Sequence, residues 1–143
     1  MRSKFTGPKS ETLTLTHGEE SITLTLVAPP VGYASFVEAM LPDPVRTTFV
    51  NGKPVESADP RAAEFRDLRF YLMLAKALEP SGELEAARKG EGAGAWEAYA
   101  RAVHAELQAA GFADEDHIHL MRAIGRLRFG TSLDEAEGAP GNA

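Results

Sequence analysis

The stretch TLTLTHGEESITLTL, residues 12–26, alternates apolar and hydroxyl side chains on both sides of a glycine. Strict alternation of this kind is typical of a β-strand with one buried and one exposed face. Two such runs joined by a short connection that contains glycine predict a β-hairpin. This hairpin, residues 12–27, is the most clearly specified element of the chain.

One pairing register of this hairpin places every leucine and isoleucine on the same face. It sets Leu15 opposite Ile22 and Leu13 opposite Leu24, so that the threonines fall on the other face. A slip by one residue would mix the two faces, and hydrophobic matching therefore selects this register. Because two strands alone are only marginally stable in water, the apolar face must pack on other elements. The threonine face is left for solvent or for a partner.

The same register makes Gly18 and Glu19 the two-residue loop of the hairpin. Glycine in the first loop position supplies the positive φ that a type II′ turn requires. A turn centred on His17 and Gly18 would instead set Leu15 against Glu20, so we reject it. We interpret His17 as a turn residue at the tip of the hairpin.

A second hairpin signal lies in VRTTFVNGKPVES, residues 45–57. Asn51-Gly52 between two β-prone runs is typical of a type I′ turn. Pro54 has no N–H to donate, which restricts the second run to an edge strand or a loop. Between the two hairpins, apolar residues at helical spacing from Tyr33 to Leu41 predict a short amphipathic helical turn.

The strongest helix signal is ADPRAAEFRDLRFYLMLAKALEP, residues 58–80. Asp59 is a favourable N-cap, and Pro60 at the first helical position costs little because an N–H there would have no helical partner. The second half of the segment is apolar on nearly all sides, which predicts the central helix of the core. Periodicity and capping together predict helices at about residues 59–79, 82–89, 95–110 and 114–129.

These elements predict one α+β domain in which N-terminal β-hairpins pack against three or four helices. The domain spans residues 11–129 and follows a flexible N-terminus at residues 1–10. GEGAG, residues 90–94, is predicted to be a flexible joint between two helices. Residues 130–143 are acidic, rich in small residues and nearly free of aromatic residues, so we predict a disordered, flexible C-terminal tail.

The composition excludes several classes of function. The chain has 143 residues, a formal net charge of −6 and no cysteine. The negative charge disfavours broad binding to nucleic acid or to anionic membranes. Without cysteine there is no disulfide scaffold, thiolate nucleophile or zinc–thiolate site. The longest apolar run, Phe70 to Ala75, is too short for a membrane span, and no secretory signal is recognisable, so we expect a soluble cytoplasmic protein.

The segment DEDHIH, residues 114–119, is the one cluster that resembles a metal site. On a helix, positions i and i+2 point about 200° apart, so His117 and His119 cannot bind one ion. Acidic residues in the first turn complement the helix dipole, and we interpret Asp114 or Asp116 as the cap of the last helix. A small metal-binding enzyme or regulator that uses this cluster stays open as an alternative.

The other side chains capable of chemistry fit structural roles. His104 lies on a polar helical stripe and is predicted to face solvent, whereas Trp96 and Tyr99 share an apolar stripe that is typical of a core. The sequence has neither a nucleophile elbow nor a phosphate-binding loop. We therefore predict a protein that is not an enzyme, and we assign no catalytic, cofactor-binding or metal-binding residue and no cofactor.

The order of these elements resembles a known family. A strand pair is followed by the APP break at residues 28–30, a helix that contains RFYLMLAKAL, a joint, a Trp-led helix, the segment AAGFADEDHIHLMRAIGRL and a polar tail. Over residues 5–129 this layout resembles the tail assembly chaperones of long-tailed bacteriophages and prophages, in their short first-frame form.

The resemblance implies a protein of the host cytoplasm that binds the tape-measure protein and the tail-tube protein before assembly and leaves before the particle matures. Such a protein needs exposed apolar surface. The strands of the hairpin at residues 12–27 and the Met121/Ile124 side of the last helix are the predicted contact surfaces. In that family, a frameshift near the end of the gene often appends a second domain.

Two statements about partners complete the sequence-based expectations. A permanent virion protein, such as a head–tail connector or a tube-associated protein, is the main alternative, and it would self-assemble into rings. Homo-oligomers are compatible with both functions, whereas no nucleic acid or membrane partner is expected from the acidic composition.

Overall fold

The structure is a computed structural model that describes residues 9–79 and 92–130. Within these ranges the chain folds into two antiparallel hairpins and four helices, which confirms the predicted α+β fold class. The strands are β1, Ser10–His17; β2, Glu20–Val27; β3, Val45–Val50; and β4, Lys53–Ala58. The helices are α1, Tyr33–Met40; α2, Ala62–Leu78; α3, Ala93–Ala109; and α4, Asp114–Phe129.

The first hairpin, formed by β1 and β2, has the predicted register. Leu15 pairs with Ile22, Leu13 pairs with Leu24, and the threonines form the exposed face. Gly18 has a φ of 65°, whereas the following Glu19 has no positive φ. Positive φ at the first loop position alone is the requirement of a type II′ turn. Turn and register were therefore both predicted correctly from local sequence.

The apolar face of the first hairpin packs on α2 and α4. Leu26 is completely buried, and its cluster includes Leu74 of α2 and Leu120 and Ile124 of α4. Leu15, in β1, is also buried. Burial of one leucine side chain contributes about 1.5–3 kcal/mol, so this contact supplies the stability that two isolated strands lack.

Helix α2 is the centre of the molecule, as its nearly all-round apolar sequence predicts. It belongs to two apolar clusters, through Leu74 and Ala77 on the side of the first hairpin and α4, and through Leu68 and Leu72 on the side of α1 and α3. Despite this apolar character, no helix in the described ranges is both long and apolar enough to cross a membrane.

The start of α2 differs by a few residues from the prediction. The regular helix begins at Ala62, because Pro60 and Arg61 form a tighter turn in which the Ala62 N–H donates to the Asp59 carbonyl (2.9 Å). The Asp59 carboxylate accepts the Arg61 N–H at 2.8 Å, and this bond lowers the pKa of Asp59. Asp59 therefore caps the turn that leads into the helix, whereas the N-cap position predicted for it is occupied by Arg61, which makes no side-chain cap hydrogen bond.

Helices α1 and α3 cover the other side of α2. The short amphipathic helix predicted before residue 41 is α1, in which Tyr33 and Val37 are buried. Trp96 of α3 is buried in the same cluster, as predicted, and meets the ring of Phe36 edge-on with the ring centroids 4.8 Å apart. Helix α3 begins at Ala93, so part of the expected GEGAG joint belongs to the helix instead.

Some expectations lie outside the described residues. These are most of the N-terminus, residues 1–8, the predicted helix at 82–89, and residues 131–143 of the predicted tail. The described chain ends just after α4, where Gly130 adopts a φ of 81° and donates its N–H to the Arg126 carbonyl (2.8 Å). Glycine tolerates this left-handed conformation and is common immediately after a helix.

We expect truncation of Leu26 to test whether packing on the helices holds the first hairpin. Leu26→Ala should lower the free energy of unfolding by about 2–5 kcal/mol, because it leaves a cavity between β2, α2 and α4. Thr25→Ala, on the exposed face of the same strand, is the matched control and should change it by no more than about 0.5 kcal/mol. Urea unfolding followed by circular dichroism measures both, and equal effects would contradict the packing described here.

Candidate functional site

The packed face of the first hairpin carries a polar residue at each end, and both bond to α4. His17 Nε2 lies 2.6 Å from Asp116 Oδ2, at the N-terminal end of α4. Glu11 Oε1 accepts hydrogen bonds from Arg126 Nε and Nη2, each at 2.7 Å, near the C-terminal end. On α4 itself, the anionic Asp116 lies at the N-terminal end and the cationic Arg126 lies near the C-terminal end, as the helix dipole favours. These two pairs therefore fix the register of β1 along α4.

Asp116 has two partners and is buried. Its Oδ2 accepts the N–H of Ala113 at 2.8 Å, which caps the start of α4, and it also lies next to His17. Burial raises the pKa of Asp116. The Ala113 N–H and the His17 side chain together lower this pKa by more than burial raises it, so the net shift is downward. The ionised carboxylate can only accept, so His17 Nε2 is the donor.

The sequence left the cap of α4 open between Asp114 and Asp116, and it did not predict the bond from Asp116 to His17. In the structure Ala113 is the N-cap residue, and the Asp116 carboxylate accepts its N–H. His17 is the last residue of β1 rather than a turn residue, and its ring reaches α4 instead of solvent. The available signal was the alternation of β1, which places Glu11 and His17 on the same face as Leu13 and Leu15. A polar residue at such a position needs a buried partner.

The DEDHIH segment does not form a metal site in the described part of the chain. His117 packs between Phe70 and Tyr71, with ring centroids 4.7 and 5.8 Å away. The side chain of His119 faces solvent, and its Nε2 lies 3.8 Å from Glu115 Oε1. Within residues 9–79 and 92–130, no three His, Asp or Glu side chains lie together as a metal ion would require.

His104 has a different environment from the predicted one. Its ring is half-buried and stacks on Tyr71 of α2, with an interplanar angle of 11° and 4.6 Å between the centroids. Burial raises the pKa of the Tyr71 hydroxyl, and the charges of Asp67 and Asp114 add to the effect. The cavity beside these rings measures about 100 Å³, far below the volume of a typical ligand pocket.

A shallow groove of about 270 Å³ runs between α1, α2 and α4, and we call it the α4 groove. It includes the Met121/Ile124 side of α4 that the resemblance implied as a contact surface. Met121 is 38% exposed there, but Ile124 is 4% exposed and belongs to the core. The positive charge of Arg69, which lines the groove, is neutralised by Asp43, whose Oδ1 lies 2.7 Å from Arg69 Nη2. Of the two residues that define the predicted contact side of α4, only Met121 is accessible to a partner, whereas Ile124 is not.

The second hairpin, formed by β3 and β4, carries four of the ten exposed large apolar residues in the described part of the chain. Its turn is type I′ as predicted, with positive φ at both Asn51 (54°) and Gly52 (77°). All twelve residues of the two six-residue strands are exposed. Four of them are large and apolar, with exposed fractions of 55% for Val45, 71% for Phe49, 54% for Val50 and 43% for Val55.

The residue pattern of the second hairpin explains this exposure. In the observed register, Val45 and Phe49 lie on one face of the second hairpin, whereas Val50 and Val55 lie on the other. Neither face is uniformly apolar, unlike the packed face of the first hairpin. A hairpin without one apolar face has no side that it can bury completely on a helix layer.

Comparison of the chain with models of known protein families, with curated proteins and with solved structures finds no match.

We expect Asp116 to contribute to stability in a manner that depends on pH. Because folding lowers its pKa, its contribution is present above the unfolded value of about 3.8 and is lost as the pH falls through the folded value. Asp116→Asn should destabilise the protein at pH 6, and the difference from the wild type should shrink as the pH approaches about 2.5. Thermal unfolding over this pH range measures it. Asp114→Asn is the control, and a similar pH dependence in both variants would contradict this role.

The separation of His117 and His119 predicts that zinc will not bind through them. Isothermal titration of the protein with zinc chloride should give no stoichiometric heat, and the double variant His117→Ala/His119→Ala should behave like the wild type. Binding of one zinc ion per chain that this double variant abolishes would contradict the geometry and restore the metal-dependent alternative.

Proposed function

We propose that this protein is a non-catalytic protein-binding factor that contacts its partner through the second hairpin. The observation that carries the proposal is the exposure of Val45, Phe49, Val50 and Val55 on an element in which every strand residue is accessible. Isolated exposed apolar side chains are common on monomers, but this hairpin carries two of them on each of its faces. Interfaces are enriched in aromatic anchors such as Phe49.

The energetics of a short hairpin support the same function. Two strands that bury no side chain on a third layer are marginally stable in water. A partner that covers Phe49 and Val45, which lie on the same face, removes apolar area from water and stabilises the hairpin at the same time. The chemistry of this surface is the burial of apolar groups, and it requires no reactive side chain.

The family resemblance narrows the proposal to a tail assembly chaperone of a bacteriophage or prophage. In this role the chain binds the tape-measure protein and the tail-tube protein in the host cytoplasm, before the tail assembles. Support comes from the exposed apolar hairpin, because a chaperone must offer accessible apolar surface to shield the apolar segments of an unassembled client.

Co-expression with the protein encoded by the next long reading frame tests the proposal. The tagged wild-type chain should recover this partner, and Phe49→Ser should reduce the recovery by about tenfold, because central aromatic residues dominate interface energies. Ile118→Ser removes a similarly exposed apolar residue from α4 and is the matched control, expected to recover the partner within about twofold.

Two results would overturn parts of this proposal. Equal recovery by Phe49→Ser and the wild type would reject the second hairpin as the binding surface. A neighbouring frame that encodes no tape-measure protein, together with failure to bind purified tape-measure fragments, would reject the tail-chaperone assignment.

A further inference from the structure

The turn of the second hairpin determines which backbone groups point outward. Val50 and Lys53 flank a two-residue loop, so they form a hydrogen-bonded pair that exchanges both of its N–H···O bonds. Hydrogen-bonded and non-hydrogen-bonded pairs alternate along an antiparallel ladder. The next pair, Phe49 with Pro54, is therefore a non-hydrogen-bonded pair. The backbone N–H and C=O groups of such a pair point away from the partner strand, toward the outer edges of the hairpin.

The same alternation applies to the rest of the ladder. Two further non-hydrogen-bonded pairs follow, Thr47 with Glu56 and Val45 with Ala58. The outer edge of β3 thus presents the N–H and C=O groups of Val45, Thr47 and Phe49. Among residues 9–79 and 92–130, no backbone hydrogen bond outside the hairpin involves these three residues.

The two outer edges of the hairpin differ in their capacity to pair. On β4, Pro54 occupies an outward position and has no N–H, and Lys53 precedes it. Proline and lysine are the residues that commonly prevent an edge strand from pairing with another chain. On β3, all three outward positions keep their donors, and no proline or lysine interrupts the strand. Only the β3 edge of this hairpin can therefore accept another strand along its full length.

The side chains of the hairpin define the chemistry of that strand. One face carries Val45 and Phe49 of β3, with Glu56 on the β4 side. The other face carries the cations Arg46 and Lys53 and no acid, with Val50 and Val55 beside them. An added strand with apolar residues on the first face and acidic residues on the second would match both. A second copy of the whole hairpin, paired through β3, would instead bring four cations onto one face, and like charges on neighbouring strands are destabilising.

We propose that β3 binds an extended segment of a partner protein by strand addition, and that this segment alternates apolar and acidic residues. The inference rests on the proposed protein-binding function and specifies how the second hairpin performs it. The added strand turns a two-stranded hairpin into a three-stranded sheet, which is the smallest sheet that is commonly stable in water. Backbone hydrogen bonds provide the pairing, and the two faces select the sequence.

A blocked, fluorescently labelled eight-residue peptide that alternates valine and glutamate is the probe, and the same peptide with lysine in place of glutamate is its control. Fluorescence anisotropy at low salt should give at least about tenfold tighter binding for the glutamate peptide, because the cationic face attracts one peptide and repels the other. Equal affinities, or no binding of the glutamate peptide at millimolar concentration, would overturn the proposal.

Matched proline variants test whether pairing occurs at β3. Thr47→Pro removes an outward donor from β3 and should weaken binding of the glutamate peptide about fivefold to tenfold. Glu56→Pro removes the outward donor of the same cross-strand pair on β4, and its affinity should equal that of Glu56→Thr, which matches the loss of charge. Circular dichroism and thermal unfolding verify that each variant is folded.

The combined results separate this inference from the proposed function. If Thr47→Pro binds the peptide and recovers the partner like the wild type, while Phe49→Ser loses the partner, then strand addition is wrong and the protein-binding function stands. If Phe49→Ser also recovers the partner fully, the second hairpin is not the binding surface, and strand addition at β3 is wrong as well. Weaker binding by Thr47→Pro with unchanged binding by Glu56→Pro relative to Glu56→Thr supports strand addition at β3.

Discussion

The fold depends on the packing of one hairpin face against two helices. β1 and β2 cannot persist in water by themselves, and α4 is amphipathic, so each needs the other to bury its apolar side. Leu26 is the point at which β2, α2 and α4 meet, and it is completely buried. Because α2 also packs against α1 and α3 through its opposite side, this contact connects both apolar clusters of the molecule.

Polar contacts then select one arrangement among the many that apolar packing would allow. Leucines and isoleucines can slide past one another at little cost, whereas the bonds from His17 to Asp116 and from Glu11 to Arg126 hold only in one register. Asp116 also caps α4 through the Ala113 N–H, so the same carboxylate defines where the helix begins and where the hairpin docks. Unpaired, this buried charge would be strongly destabilising, which penalises the alternative registers.

What the sequence predicts well is local, and what it predicts poorly depends on residues far apart in the chain. The turn at Gly18, the register of Leu15 with Ile22 and the turn at Asn51-Gly52 each follow from a few neighbouring residues, and the structure agrees with them. The bond between His17 and Asp116 joins positions 99 residues apart, and no periodicity in one sequence reveals it. Exposure of Met121 and burial of Ile124 likewise depend on how α4 is rotated in the assembled core.

The two hairpins share a topology but distribute their apolar residues in opposite ways. In the first, alternation confines leucine and isoleucine to one face, and that face is covered by helices. In the second, valine and phenylalanine occupy both faces, and every strand residue stays accessible. Natural proteins usually protect such edges, and β4 has Pro54 for this purpose whereas β3 has no equivalent residue. The β3 edge is therefore open to an added strand, whereas Pro54 interrupts pairing along the β4 edge.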